Sequence, residues 1–165
     1  LIGGAESHSV PSAAARQLRL ELEQVAVACG VQDVVHFTGY LPGAGVSRLL
    51  QAADAAAFPF NAGVTRKSSS LLAALAAGVP VVATAPPGEV GGPTEVDGVL
   101  RVPPCDTAAL TYALRRVLSD RALADRLTAA GRALAASHSW DAIAAVHAGV
   151  YARALASHRG DASWT

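Results

Sequence analysis

The stretch from Leu71 to Thr84 constrains the fold more than any other part of the chain. Leu-Leu-Ala-Ala-Leu-Ala-Ala leads to Gly78 and then to Val-Pro-Val-Val-Ala-Thr. This order predicts an apolar helix from Ser68 to Ala77, a glycine stop, and a strand from Val79 to Ala83. A strand apolar at every position suits burial on both faces, which is the situation of a parallel strand covered by helices. The same alternation recurs along the chain. Pro11 opens a helix candidate over Ser9 to Cys29, with Leu18, Leu22, Val25 and Cys29 at helical spacing and Gly30 as its end. Val34 to Phe37 reads as a short strand and Thr38 to Pro42 as a loop. Val46 to Ala53 reads as a helix with Leu49, Leu50 and Ala53 facing inward, followed by a strand from Ala55 to Phe58 closed by Pro59.

Beyond Thr84, Pro86-Pro87-Gly88 and Gly91-Gly92-Pro93 mark a long irregular loop before a strand from Val99 to Val102. The remainder is helical. Asp106 caps a helix through Leu118 with Leu110, Leu114 and Val117 as its stripe, and Asp120 begins another through Ala136 carrying Leu123, Leu127, Ala130 and Leu134. Ser139 caps a third, with Trp140, Ile143, Val146, Val150 and Leu155 as apolar positions. The expected fold class is therefore α/β, a Rossmann-like parallel sheet with flanking helices and a helical C-terminal end. Residues 1–156 form the expected domain and residues 157–165 a polar, flexible tail. In such sheets ligands bind beyond the carboxyl ends of the strands. That places Gly3-Gly4, Thr38 to Pro42, Pro59 to Lys67 and Thr84 to Glu95 at the expected site.

Composition removes several classes of function. With 165 residues, 52% hydrophobic and 16% charged, the chain is long enough for a core and too apolar to be disordered. No apolar run approaches the roughly 18 residues of a membrane span. Lys plus Arg equals Asp plus Glu at 13 each, so no nucleic-acid-binding field is expected. A neutral total can still hide a local basic patch for anionic lipid. Cys29 and Cys105 lie far apart with no ligand spacing, so no metal is expected and both read as small core or edge residues of a reducing compartment. Leu1-Ile2-Gly3-Gly4 looks like the end of a strand, which suggests a sequence beginning inside a domain.

Chemistry concentrates in Val64-Thr65-Arg66-Lys67-Ser68-Ser69-Ser70. A helix start leaves backbone N–H groups unpaired and carries partial positive charge, so it can hold an anion. Arg66 and Lys67 add full charges and the serines add hydroxyl donors. An ordinary N-cap beside a solvated basic pair fits the same pattern.

Taken in order, these segments resemble the carboxy-terminal, nucleotide-sugar-binding domain of a GT-B-fold glycosyltransferase, most like the retaining family 4. The resemblance rests on Leu1-Ile2-Gly3-Gly4, on Val35-His36-Phe37-Thr38-Gly39-Tyr40-Leu41-Pro42, on Ala53-Asp54 through Pro59, on Leu75 to Thr84 and on Ser139-Trp140-Asp141. It covers Leu1 to about Leu155. It implies transfer of a sugar from a nucleoside diphosphate donor to an acceptor, with no metal. The acceptor would be held by an N-terminal domain of the same chain that precedes Leu1, so this is an N-terminally truncated piece that would be inactive alone. A cytoplasmic setting, peripheral on the membrane face, goes with that family.

The resemblance also assigns roles. Lys67, with Arg66, would neutralise the leaving diphosphate, and Ser68, Ser69 and Ser70 would bind phosphate oxygens. Gly39, Tyr40 and Leu41 match the loop beside the nucleotide base, although Tyr40 could equally cover the domain surface. Gly3 and Gly4 would let the backbone approach phosphate or sugar, or simply form a tight turn. Glu89 and Glu95 lie in the long loop, Glu95 being the better match to a donor-binding glutamate. The family usually carries two glutamates separated by seven residues. Here those positions hold Thr65 and Ala73. Two further readings follow from that loss and from the shared fold: a degenerate, non-catalytic GT-B module serving as scaffold, and a nucleotide-sugar epimerase.

Overall fold

The structure, a computed structural model, describes residues 12–65 and 67–160. The chain divides into two compact units, residues 1–52 and 53–165.

In the first unit, helix α1 spans Ser12–Ala28. It ends at Gly30, where the Gly30 N–H donates to the Val27 carbonyl and the Val31 N–H to the Ala26 carbonyl. The expected apolar stripe is not the buried one. Leu18, Leu22 and Val25 are exposed, whereas Ala15 and Ala26, three helical turns apart on one face, are buried. The expected strand at Val34 to Phe37 is irregular. The N–H groups of Val34 and Val35 turn back onto the Val31 carbonyl at 3.1 and 3.2 Å, so a turn takes the donors that a sheet ladder would need. The guanidinium of Arg19 lies 5.2 Å over the Phe37 ring. Helix α2 spans Gly43–Ala52, starting three residues earlier than expected because the Pro42 carbonyl accepts the Gly45 and Val46 N–H groups. Leu50 is buried; Leu49 is not.

The second unit contains the sheet. Strands β1 (Ala56–Phe58), β2 (Val81–Thr84), β3 (Thr94–Val96) and β4 (Val99–Val102) lie in the order β1-β2-β4-β3. β1, β2 and β4 are parallel, with Ala57 opposite Val82 and Val82 opposite Leu100. Every residue of β2 is buried, as its apolar run requires of a strand flanked on both sides. Helix α3 (Ser69–Ala77) connects β1 to β2, capped by Ser68 and stopped by Gly78, within one residue of expectation.

β3 falls inside the segment expected to be irregular. It pairs antiparallel with β4 through a two-residue turn at Asp97-Gly98 (φ 54° and 75°), the backbone of a type I′ hairpin. Gly98 is required here for a second reason. A Cβ on it would strike the backbone of Gly131, so the hairpin tip rests directly on a helix.

Helices α4 (Thr107–Ser119), α5 (Arg121–Ser137) and α6 (Trp140–Gly160) follow. Asp106 and Asp120 cap α4 and α5 through their carboxylates, accepting from the N–H groups of Ala109 and Leu123. The core joins Val82, Leu100 and Val102 of the sheet to Ala113 and Val117 of α4 and Leu123 and Leu127 of α5. The expected α6 stripe is mostly uncovered among the described residues. Trp140 is 86% exposed and Val146, Val150 and Leu155 are also exposed, because α6 meets its unit chiefly through α5. Helix α6 also continues past Ser157, where a polar tail is expected, to Gly160. Cys29 and Cys105, expected in core or edge positions, are both exposed. One adjoins the turn after α1 and the other sits at φ 58° beside the α4 cap.

Candidate functional site

The site is built where β1 and β2 end. The loop from Pro59 to Ser68 leaves β1 at the carboxyl edge of the sheet and is tied down at its first half. The Thr84 hydroxyl lies 2.6 Å from the Phe60 carbonyl and 3.2 Å from that of Phe58. The Val64 N–H donates to the Thr84 carbonyl at 2.8 Å, and the Val64 side chain is buried. Between these anchors Gly63, at φ 75°, passes so close to Ala85 and Pro86 that a Cβ would overlap their backbone.

The second half of the loop delivers the chain to α3. The Thr65 carbonyl accepts the Ser68 N–H at 3.0 Å, and its Oγ1 lies 3.4 Å from the Lys67 N–H. Ser68 is the N-cap, its Oγ accepting the Leu71 N–H at 3.3 Å. That leaves Ser69 and Ser70 as the first helical residues, both exposed, with backbone N–H groups that have no carbonyl within the helix to bond. Lys67 is exposed beside them. A cation, two hydroxyls and a helix start are therefore neighbours along the chain where the loop after β1 enters α3, an arrangement compatible with an anionic ligand.

Thr65 also opens onto a shallow pocket of about 290 Å³ lined by Val64, Thr65, Pro86, Glu89, Asp97 and Arg101. Arg101 Nη1 donates to Glu89 Oε2 at 3.0 Å, and the arginine side chain is only 12% exposed. Glu89 is one of the two loop glutamates singled out in the sequence, whereas Arg101 is not, since the pair is made only when the loop after β2 folds over β4.

The other expected site residues distribute as follows. Glu95 stands on β3, where its carboxylate takes the Arg126 guanidinium at 3.0 Å. Gly39 (φ 64°), Tyr40 (76% exposed) and half-buried Leu41 belong to the first unit. Gly3, Gly4 and Arg66 lie outside the described residues. Ala73 is an exposed position of α3 with no polar side-chain atom. Among the described residues no group of three or more His, Cys, Asp or Glu side chains could hold a metal ion. No described helix is long and apolar enough to cross a membrane.

Comparison with known proteins decides what kind of domain this is. The model of a family described as glycosyl transferases group 1 matches residues 8–120. The chain belongs to that family. Among curated proteins, D-inositol 3-phosphate glycosyltransferase of Streptomyces griseus is 37% identical over 147 residues, covering 84% of this chain and 29% of its own length. The chain thus spans less than a third of that relative. Among solved structures, sucrose-phosphate synthase from Thermosynechococcus elongatus superposes with a TM-score of 0.74 at 26% identity, covering 95% of this chain and 38% of the synthase. Anabaena HepE in complex with UDP superposes with a TM-score of 0.69 at 21% identity, again over 95% of this chain and 40% of HepE. The mixed α/β class with a parallel-dominated sheet and flanking helices agrees with these neighbours.

Proposed function

We propose that this group 1 domain is the donor-binding half of a retaining, family 4-like glycosyltransferase. It takes a nucleoside diphosphate sugar without a resident cofactor or metal and passes the sugar to an acceptor held by another domain of the same protein. Nucleic acid has no part in the reading. The setting it implies is cytoplasmic, with contact at the membrane face where the acceptor is lipid-linked.

The observation that carries the reading is the start of α3. Lys67, Ser69 and Ser70 are exposed there, at the carboxyl edge of β1, on a loop anchored to Thr84. Diphosphate oxygens would accept from the N–H groups and hydroxyls of Ser69 and Ser70. Lys67, with Arg66 next to it in sequence, would offset the charge that builds on the diphosphate as the glycosidic bond breaks. Ser68 would contribute through its cap, holding the helix start in place. In the first unit, Gly39, Tyr40 and Leu41 would serve the base, and Gly3 and Gly4 the sugar or phosphate.

Thr65 and Ala73 support a second reading, in which the domain is a non-catalytic module of the same fold. Calorimetric titration with UDP, GDP and ADP, each beside its free nucleoside, separates the two. Binding of one diphosphate but not its nucleoside supports a working donor site; UDP, the ligand of HepE, is the first to try. A folded chain indifferent to all three supports the non-catalytic module.

A further inference from the structure

We propose that Arg132 of α5 is a positioning residue for the diphosphate site, acting on α3 from the end opposite to it. The proposal rests on the donor-site reading above and adds a residue that touches no ligand. Contact is the first ground. A Cβ built on Gly78, the C-cap of α3, would overlap the Nη2, Nε and Cζ atoms of Arg132, so the guanidinium lies against the helix end. One residue earlier on α5, a Cβ on Gly131 would come within 2.7 Å of Leu75 Cδ2. Neighbouring residues of α5 thus hold the last turn of α3 by packing and by charge.

Electrostatics is the second ground. α3 has no basic residue in its last turn and no acidic residue in its first. The N–H groups of Gly78 and Val79 serve the Leu75 and Ala74 carbonyls at 3.1 and 3.3 Å. The Ala76 carbonyl has no such donor four residues on, because position 80 is a proline. The end of a helix carries partial negative charge, and a cation beside it is stabilising. Arg132 supplies that cation from another helix. The described ion pairs of α5 use Arg121 and Arg126, and Arg132 enters none of them. The opposite end of α3 has no protein anion in its first turn, and there the diphosphate completes the helix.

Length is the third. The 9 residues of α3 make a helix about 13 Å long, too short to hold its form in water without tertiary support. Its start is fixed by the Ser68 cap and the loop pinned to Thr84, its end by Gly78 and Arg132. A tilt of about 5° about the far end would move the first turn by about 1 Å, more than the spread of N–H···O distances in good hydrogen bonds. The anchor at Gly78 therefore governs whether Ser69 and Ser70 meet the phosphate oxygens.

The test is calorimetric titration of the native chain and its Arg132→Met and Arg132→Lys variants with UDP, GDP and ADP, beside thermal melts. Arg121→Met, which breaks a solvent-exposed pair with Asp125, serves as control. Arg132→Met should weaken the diphosphate that binds by about threefold or more, and Arg132→Lys, which keeps the cation, should stay within about twofold of native. A residue that only adds stability would lower the melting temperature and leave the affinity of the folded chain unchanged. Amide exchange in the ligand-free chain gives a second readout. The N–H groups of Leu71 and Leu72, bonded to Ser68, should exchange faster in Arg132→Met and at the native rate in Arg132→Lys. Those of Val82 and Ala83, in buried β2, should hold steady in all three chains. Native affinity in folded Arg132→Met, or equal loss in both variants, would overturn the proposal. Failure of every diphosphate to bind the native chain would overturn the donor-site reading, and unchanged exchange at Leu71 and Leu72 would separately overturn the hold of Arg132 on α3.

Discussion

Thr84 places its hydroxyl 2.6 Å from the carbonyl oxygen of Phe60, joining the end of one parallel strand to the loop that leaves its neighbour. Thr84 is 4% exposed, so its hydroxyl cannot turn to water instead. The isosteric change Thr84→Val keeps the packing and removes the donor. It should cost about 1–3 kcal/mol, lowering the melting temperature by roughly 2–4 °C per kcal/mol for a chain of this size. A thermal melt checks it, and amide exchange in the loop from Phe60 to Ser68 should quicken at the same time.

Gly63 and Gly98 mark two places where backbone meets backbone. Each has positive φ, and at each a Cβ would overlap a neighbouring main chain, Ala85 and Pro86 in one case and Gly131 in the other. The left-handed conformation alone costs a residue with a side chain about 1–2 kcal/mol, and the overlap adds to it. Both Gly63→Ala and Gly98→Ala should be destabilising in denaturant titration. Only Gly63→Ala should also weaken diphosphate binding beyond what the loss of folded chain explains, because only Gly63 sets the path of the loop into α3.

The three serines separate by role. Ser68→Ala removes the N-cap bond to the Leu71 N–H and should cost about 1 kcal/mol of stability. Ser69→Ala and Ser70→Ala remove exposed hydroxyls that cap nothing. Their melting temperatures should stay at the native value while diphosphate affinity falls severalfold. Melts and calorimetry on the same samples give both numbers.

Much of this was readable in the sequence because it is local. Ser68 and Gly78 bound α3 by capping chemistry, and the apolar run before Thr84 declares a buried parallel strand wherever it occurs. The Asp97-Gly98 pair was a hairpin signal of the same local kind, obscured by the glycines and prolines ahead of β3. Other features depend on what a segment meets. Val34 to Phe37 has strand composition, yet the N–H groups of Val34 and Val35 go to the turn carbonyl of Val31. Trp140, Val146 and Val150 have helical spacing, but spacing cannot show whether a partner covers that face. At the site, the helix start was legible and the ion pairs were not. Glu95 finds Arg126 from 31 residues away and Glu89 finds Arg101 across a turn, and no periodicity encodes either meeting.

Two aspartates on the helical end give a contrast that needs no ligand. Asp120 ends α4 by donating its N–H to the Arg116 carbonyl and begins α5 by accepting from the Leu123 N–H. Asp125 pairs with Arg121 one turn along α5, both side chains mostly in solvent. Asp120→Ala should lose about 1 kcal/mol and Asp125→Ala at most about 0.5 kcal/mol. Urea midpoints of the native chain and both variants check these values, and the small Asp125 contribution should shrink at high salt, which screens the exposed pair.

The central claim is that the start of α3 holds a diphosphate with Lys67 as its cation. The most direct measurement is the affinity of the Lys67→Ala chain for the nucleoside diphosphate that the native chain binds, beside the melting temperatures of both. Lys67 is exposed, so the variant should melt like the native chain. The account predicts at least a tenfold loss of affinity, about 1.4 kcal/mol. Unchanged affinity in a folded Lys67→Ala chain would contradict it.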